Sequence, residues 1–214
     1  MTVRLPLHES LWRRNLDLAQ ACREHPFIGG LADGTLDQEI FRRYVGQDAF
    51  FLRAFMSAYA LAAAKYSGTL DLMRRFHRLM GGVLDELELH AGFAETLSID
   101  LDAVVPSPAA SAYTDFLIRT AWTGTVDEIV AAMTPCMRLY RYLGQGLAST
   151  DHTNNPYRDW VETYSSSGFG ELVDDLEAIV DELGVDNDAV RRNYRYAMRC
   201  ELDFFSDPLR GDTD

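Results

Sequence analysis

Apolar side chains recur along this chain at three- and four-residue intervals almost from end to end, the period of an amphipathic helix. No stretch rich in Val, Ile and Thr alternates as a half-buried strand would. The first stripe, Leu11, Asn15, Leu18 and Cys22, predicts a helix over residues 8–24, stopping before Pro26, whose ring disfavours helical backbone at the preceding residue. A second helix is expected from Thr35, with Gln38 as its capping-box partner, and carries Phe41, Tyr44, Asp48, Phe51, Phe55 and Tyr59 on one face. A third covers 69–97, with Gly81-Gly82 as a possible bend.

After a loop over 98–106, Ser107-Pro108 supplies an N-cap followed by proline at the first helical position, opening a helix with Tyr113, Leu117 and Thr120 inward. Thr125 and Glu128 form a capping box for a helix bearing Ile129, Met133, Cys136, Tyr140, Leu143 and Leu147. Asn155-Pro156 begins a short helix through Trp160 and Tyr164. An amphipathic segment over 169–183 stops at Gly184, and the last helix, 186–205, shows Val190, Tyr194, Ala197, Glu201 and Phe204. These elements add up to about eight helices with short connections, an all-α helical bundle. No repeat or linker divides residues 1–214, which read as a single domain with a polar, frayed tail over 209–214.

Three stripes carry a polar residue where the period demands an apolar one. Asp48 lies between Tyr44 and Phe51, Glu201 between Ala197 and Phe204, and Cys136 between Met133 and Tyr140, directly after Pro135. A buried carboxylate costs several kcal/mol unless it is paired, hydrogen-bonded or protonated. Two of them on separate helices point to a shared polar pocket, although a salt bridge to a nearby arginine would also accommodate each. A free cysteine is often a small buried hydrophobe. Here the missing hydrogen bond at Pro135 should kink the helix and free a carbonyl near the thiol. Tyr44, Tyr59, Tyr113, Tyr140, Tyr164 and Tyr194 all fall on inner faces, where each hydroxyl needs a partner. The pattern yields an aromatic-lined pocket with two carboxylates and a thiol, and no reaction.

Composition narrows the classes. The net charge of −13, from 33 acidic and 20 basic residues, repels phosphate backbones and argues against nucleic-acid binding. The one basic run, Arg191-Arg192-Asn193-Tyr194-Arg195, is flanked by Asp186, Asp188 and Glu201 and reads as a solvated face. No apolar run approaches the roughly 18 residues of a membrane span, and residues 1–14 contain no secretory h-region. Three scattered cysteines without a C-x-x-C pair suit a reducing compartment, so a cytoplasmic protein is expected.

The blocks Gly34-Thr35-Leu36 with Phe41, Tyr44, Val45, Gln47, Asp48, Phe51 and Leu52; Ser111-Ala112-Tyr113; Pro135-Cys136 with Tyr140; Asn155-Pro156-Tyr157 with Trp160, Tyr164 and Phe169; and Glu201 occur in this order across nearly the whole chain. Together they resemble the signature of the TenA/thiaminase II family, in its cysteine-containing branch. The resemblance implies a haem-oxygenase-like fold, a homotetramer, no cofactor and no metal. It also implies a small-molecule substrate, thiamin or an aminopyrimidine derived from it, hydrolysed to 4-amino-5-hydroxymethyl-2-methylpyrimidine for thiamin salvage.

By the same resemblance, Asp48 would hydrogen-bond the aminopyrimidine, Cys136 would add to its ring, and Glu201 would handle protons. Tyr140 and Tyr164 would hydrogen-bond around the thiol and Glu201, while Tyr113 and Phe204 would stack on the ring. Phe51 stands where relatives often have tyrosine, and Gly168 where an acidic residue often precedes the phenylalanine. Two other readings remain open, a non-catalytic pyrimidine-binding or regulatory protein and an oxidase on the haem-oxygenase fold. For haem ligation His8 and His25 are the nearest candidates, but His25 before Pro26 suits a loop or cap. Glu86, Glu88 and His90 lack the Glu-x-x-His spacing of a di-iron site and are expected to form a solvated face.

Overall fold

The computed structural model describes residues 5–66, 68–149 and 153–210. Among these are ten α-helices and no strand: α1 (Leu7–Arg13), α2 (Leu16–Arg23), α3 (Pro26–Asp33), α4 (Gln38–Lys65), α5 (Leu70–Leu97), α6 (Pro108–Thr123), α7 (Val126–Leu147), α8 (Arg158–Ser165), α9 (Ser167–Leu183) and α10 (Asp188–Arg210). Helix α7 lies at the centre and touches α4, α6, α8, α9 and α10, while the 28-residue α4 and α5 pack along one another.

The predicted caps at Ser107 and Thr125 are where those helices begin, and Thr69, the expected first residue of the third helix, caps α5. Thr69 and Ser107 accept from the backbone N–H of Leu72 and Ala110, and the Thr125–Glu128 capping box is closed. Other boundaries moved. The first expected helix is two, because buried Asn15 turns its amide back onto the Leu11 carbonyl at 2.8 Å and ends α1 there. Thr35 does not cap α4: its hydroxyl donates to Asp33 at 2.6 Å, and the cap is Asp37, accepting from Glu39 N–H at 2.8 Å. Helix α3 was not expected. It starts at Pro26 with His25 as its cap, which agrees with the cap role read for that histidine, and ends at Gly34, whose φ of 75° lies in the left-handed region.

The helix carrying Pro135 runs unbroken from Val126 to Leu147, so the expected kink does not end it. Likewise α10 continues through buried Pro208 to Arg210, so Leu209 and Arg210 are helical rather than frayed; 211–214 lie outside the described residues. Gly144 on α7 is required by close approach, since a Cβ there would lie 2.6 Å from the Tyr164 backbone carbon. Backbone contact at this point fixes α8, and with it Tyr164, against α7.

Candidate active site

All six tyrosines expected inside are buried, together with Trp160. Tyr59 and Tyr194 nevertheless have hydroxyls without a hydrogen-bond partner among the described residues, against the expectation that each would find one. The other four belong to one polar network at the meeting of α4, α5, α6, α7, α8 and α10. Tyr113 donates to Glu201 at 2.6 Å, and the Cys136 thiol lies beside the same carboxyl group. The Tyr44 and Tyr140 hydroxyls are 3.1 Å apart, and the Trp160 indole N–H donates to Tyr44 at 3.3 Å. Tyr164 donates to Glu86. Tyr140 and Tyr164 therefore bond Tyr44 and Glu86 rather than the thiol and Glu201, and the hydroxyl on Glu201 is that of Tyr113.

Glu86 and His90 are the main correction to the sequence reading. They do not form a solvated face: His90 is 1% exposed and Glu86 half-buried, and only Glu88 of the trio points to solvent. His90 Nε2 lies 2.8 Å from Asp48 Oδ2, and its Nδ1 lies 2.9 Å from the Glu86 carbonyl oxygen. Both neighbours are acceptors, so both ring nitrogens must carry a proton. Burial disfavours that charge, but Asp48 and then Glu86 outweigh it and bring the His90 pKa up to about 9. The signal was present in the sequence, because Leu72, Phe76, Leu79, Val83, Glu86, His90 and Ala94 follow the same three–four period that singled out Asp48 and Glu201.

The cluster differs from an ordinary buried ion pair. Buried Glu177 on α9 is gripped by Arg138 and by Arg141, the latter at 2.8 Å. Among the described residues no lysine or arginine pairs with Asp48, Glu86 or Glu201, and His90 is the cation beside them. Burial accordingly pushes Glu201 up to about 8, with the Tyr113 hydrogen bond and the Cys136 thiol opposing and the Asp48 charge adding. Glu86 is pushed to about 7, first by burial and then by Asp48. Cys136 is held well above the ordinary thiol range by burial and by the charges of Glu201, Glu86 and Asp48. Carboxyl groups poised near neutrality beside a thiol are equipped for proton transfer coupled to nucleophilic attack.

Aromatic rings close the other side. Phe51 lies 4.7 Å from Tyr113, 5.3 Å from Phe55 and 5.8 Å from Phe204, ring centre to ring centre, and Phe204 meets Tyr44 edge-on at 6.0 Å. All the predicted residues, Asp48, Phe51, Tyr113, Cys136, Tyr140, Tyr164, Glu201 and Phe204, thus gather around one centre. Beside it, a groove of about 660 Å³ between α5 and α9 is lined by Gly82, Glu86, Met137, Gly168, Phe169 and Leu172, among others. Among the described residues no group of three or more His, Cys, Asp or Glu side chains is placed to hold a metal ion, and no helix is long and apolar enough to cross a membrane.

Comparison with known proteins agrees with this geometry. The TENA/THI-4/PQQC family model matches residues 12–209. The aminopyrimidine aminohydrolase of Bacillus subtilis is 35% identical over 162 residues, which cover 74% of this chain and 69% of that protein. The bifunctional TH2 protein of Arabidopsis thaliana is 33% identical over 88% of this chain and 35% of its own length. The thiamine biosynthesis multifunctional protein ThiED of Corynebacterium efficiens is 31% identical over 96% of this chain and 28% of its own length. The chain therefore spans only about a third of these last two relatives. A solved TenA homologue from P. horikoshii OT3 superposes with a TM-score of 0.88 at 29% identity, over 97% of this chain and all of that one. A protein of heme oxygenase-like fold from Shewanella denitrificans superposes at 0.74 with 11% identity, a likeness of fold alone.

Proposed function

The chain belongs to the TENA/THI-4/PQQC family, and from that premise we propose that it is an aminopyrimidine aminohydrolase of the thiaminase II type. Its substrate is thiamin or the aminomethyl pyrimidine derived from it, and its product the hydroxymethyl pyrimidine. The observation that carries this reading is the Cys136 thiol beside the buried, Tyr113-bonded Glu201 carboxyl, next to the Asp48–His90 pair and stacked aromatic rings.

A pyrimidine stacked against the Phe51, Tyr113 and Phe204 cluster is held by one face. Asp48, oriented by His90, accepts from its exocyclic amino group. Glu201, protonated at neutral pH, gives its proton to a ring nitrogen, which makes the ring electrophilic. The carboxylate left behind takes the thiol proton as sulfur adds to the ring. In this sequence the thiol never has to ionise alone against three carboxyl groups. Electron flow from the adduct expels the group on the methylene, water adds there, and loss of Cys136 restores the ring.

The test is turnover of thiamin and of 4-amino-5-aminomethyl-2-methylpyrimidine by the purified protein, followed by chromatography of the hydroxymethyl product. Cys136→Ser should fold and lose activity by orders of magnitude, because an alcohol is a far poorer nucleophile near neutral pH. Cys22→Ser and Cys200→Ser should retain it. If the unaltered protein binds the pyrimidine but hydrolyses neither compound, it is a binding protein and this reading fails.

A further inference from the structure

Glu86 faces two ways. Its Oε1 accepts from Tyr164 within the polar cluster, while the residue also lines the groove between α5 and α9. Met137, which follows Cys136 on α7, lines the same groove. The backbone of Glu86 is fixed as well, because His90 Nδ1 donates to its carbonyl at 2.9 Å. The rest of the groove wall is mostly apolar: Leu79, Val83, Leu89, Phe169 and Leu172.

The reaction proposed above, on which this inference rests, has more proton transfers than Glu201 can serve at once. That carboxyl, held by Tyr113, regains a proton as the thiol adds but must return it to sulfur when Cys136 leaves the ring. The aminomethyl group carries its own proton in water at neutral pH, but once bound as the free amine it needs an acid in order to leave, since an unprotonated amide anion is a prohibitive leaving group.

We propose that Glu86 is a further catalytic residue, whose carboxyl group protonates the departing nitrogen, and that the groove it lines receives the leaving group. In R–CH2–NH2 the C–N bond breaks with its electron pair going to nitrogen. The Glu86 proton joins that pair, ammonia departs into the groove and Glu86 is left as carboxylate. Water forms the new C–O bond and returns a proton to Glu86, so the sum is R–CH2–NH2 + H2O → R–CH2–OH + NH3. A thiazolium, by contrast, leaves as a neutral thiazole by taking the electron pair alone. It needs no proton.

That difference is the test. Glu86→Gln keeps the shape and still accepts from Tyr164 but cannot transfer a proton. Its kcat on the aminomethyl pyrimidine should fall about 100-fold or more, the usual contribution of a general acid, while kcat on thiamin stays within about fivefold. Equal losses on both compounds, or no loss on the amine, overturn the assignment.

A measurement on the unaltered enzyme guards against a variant that fails to fold. Glu86 is faced by Asp48 and Tyr59 from α4, His90 on its own helix, Cys136 from α7, Tyr164 from α8 and Glu201 from α10. Its carboxyl loses its proton as pH rises through about 7. The amine reaction should therefore show a kcat that begins to fall through that range, whereas the thiamin reaction should fall only through about 8, where Glu201 loses the proton that both reactions need. Identical profiles would overturn the proposal. Failure to hydrolyse either compound would instead overturn the functional reading beneath it.

Discussion

At the residue scale, Phe51 is a departure with a measurable effect. It stands one helical turn from Asp48 and packs on Tyr113, so a tyrosine in its place would keep the ring contact and add one hydroxyl. A hydrogen bond of that kind contributes roughly 0.5–1.5 kcal/mol, so Phe51→Tyr should raise kcat/KM by no more than about tenfold. The aminomethyl pyrimidine should be the better substrate of the unaltered protein, and steady-state rates on both compounds decide it. An inactive tyrosine variant would contradict this account of the pocket. Glu201 lends itself to a stability measurement. Its carboxyl is raised from 4.5 to about 8 in the folded protein, so the folded state binds a proton that the unfolded chain releases. Its contribution is fully present below about pH 4.5 and is lost as pH rises through about 8. Glu201→Gln cannot ionise and should melt higher than the parent at pH 9, with the gap closing toward pH 5, while losing activity. A constant difference in Tm across that range would contradict it. Asp48, Cys136 and Glu201 were legible from the sequence because each interrupts an apolar stripe; their roles came only with the family resemblance.

At the element scale, caps made several helix starts readable while the breaks depended on contacts distant in sequence. The Asn15 break is an example. The side-chain amide that ends α1 is itself held by Arg195 from α10 at 3.1 Å, 180 residues away. Periodicity cannot register such a partner. Glu86 and His90 were legible in principle, since α5 follows the same spacing as α4, but their mixed-charge neighbourhood resembles a solvated surface until α4 supplies Asp48. Gly144 provides the test at this scale. Gly144→Ala would gain helix propensity of about 1 kcal/mol, yet its methyl group would sit inside contact distance of the Tyr164 backbone. Overpacking of this kind typically costs 1–3 kcal/mol, so the expected outcome is a net loss. Displacement of α8 would also move Tyr164 and lower kcat. A denaturant melt together with a rate measurement checks both, and a variant more stable than the parent would show that α7 and α8 are not locked here.

At the scale of the whole molecule, the all-helical architecture was legible because helical periodicity persists through nearly every segment, and burial of 53 hydrophobic residues among those described bears that pattern out. Several large apolar side chains remain outside, among them Trp122 at 66% and Val105 at 81% exposed. They fit the homotetramer implied by family resemblance, in which a second helix face would be covered. Light scattering should then give about four times 24.1 kDa, and a monomer that still turns over substrate would refute it. The acid cluster has one more consequence, for the chemistry of inhibitors. Among the described residues three carboxyl groups share an enclosed space with one imidazolium, so two of them avoid an unbalanced charge only by keeping their protons. A basic heterocycle that arrives carrying a proton supplies the missing countercharge, whereas a neutral ring of identical outline does not. Selectivity among look-alike ligands should therefore follow their basicity more closely than their shape.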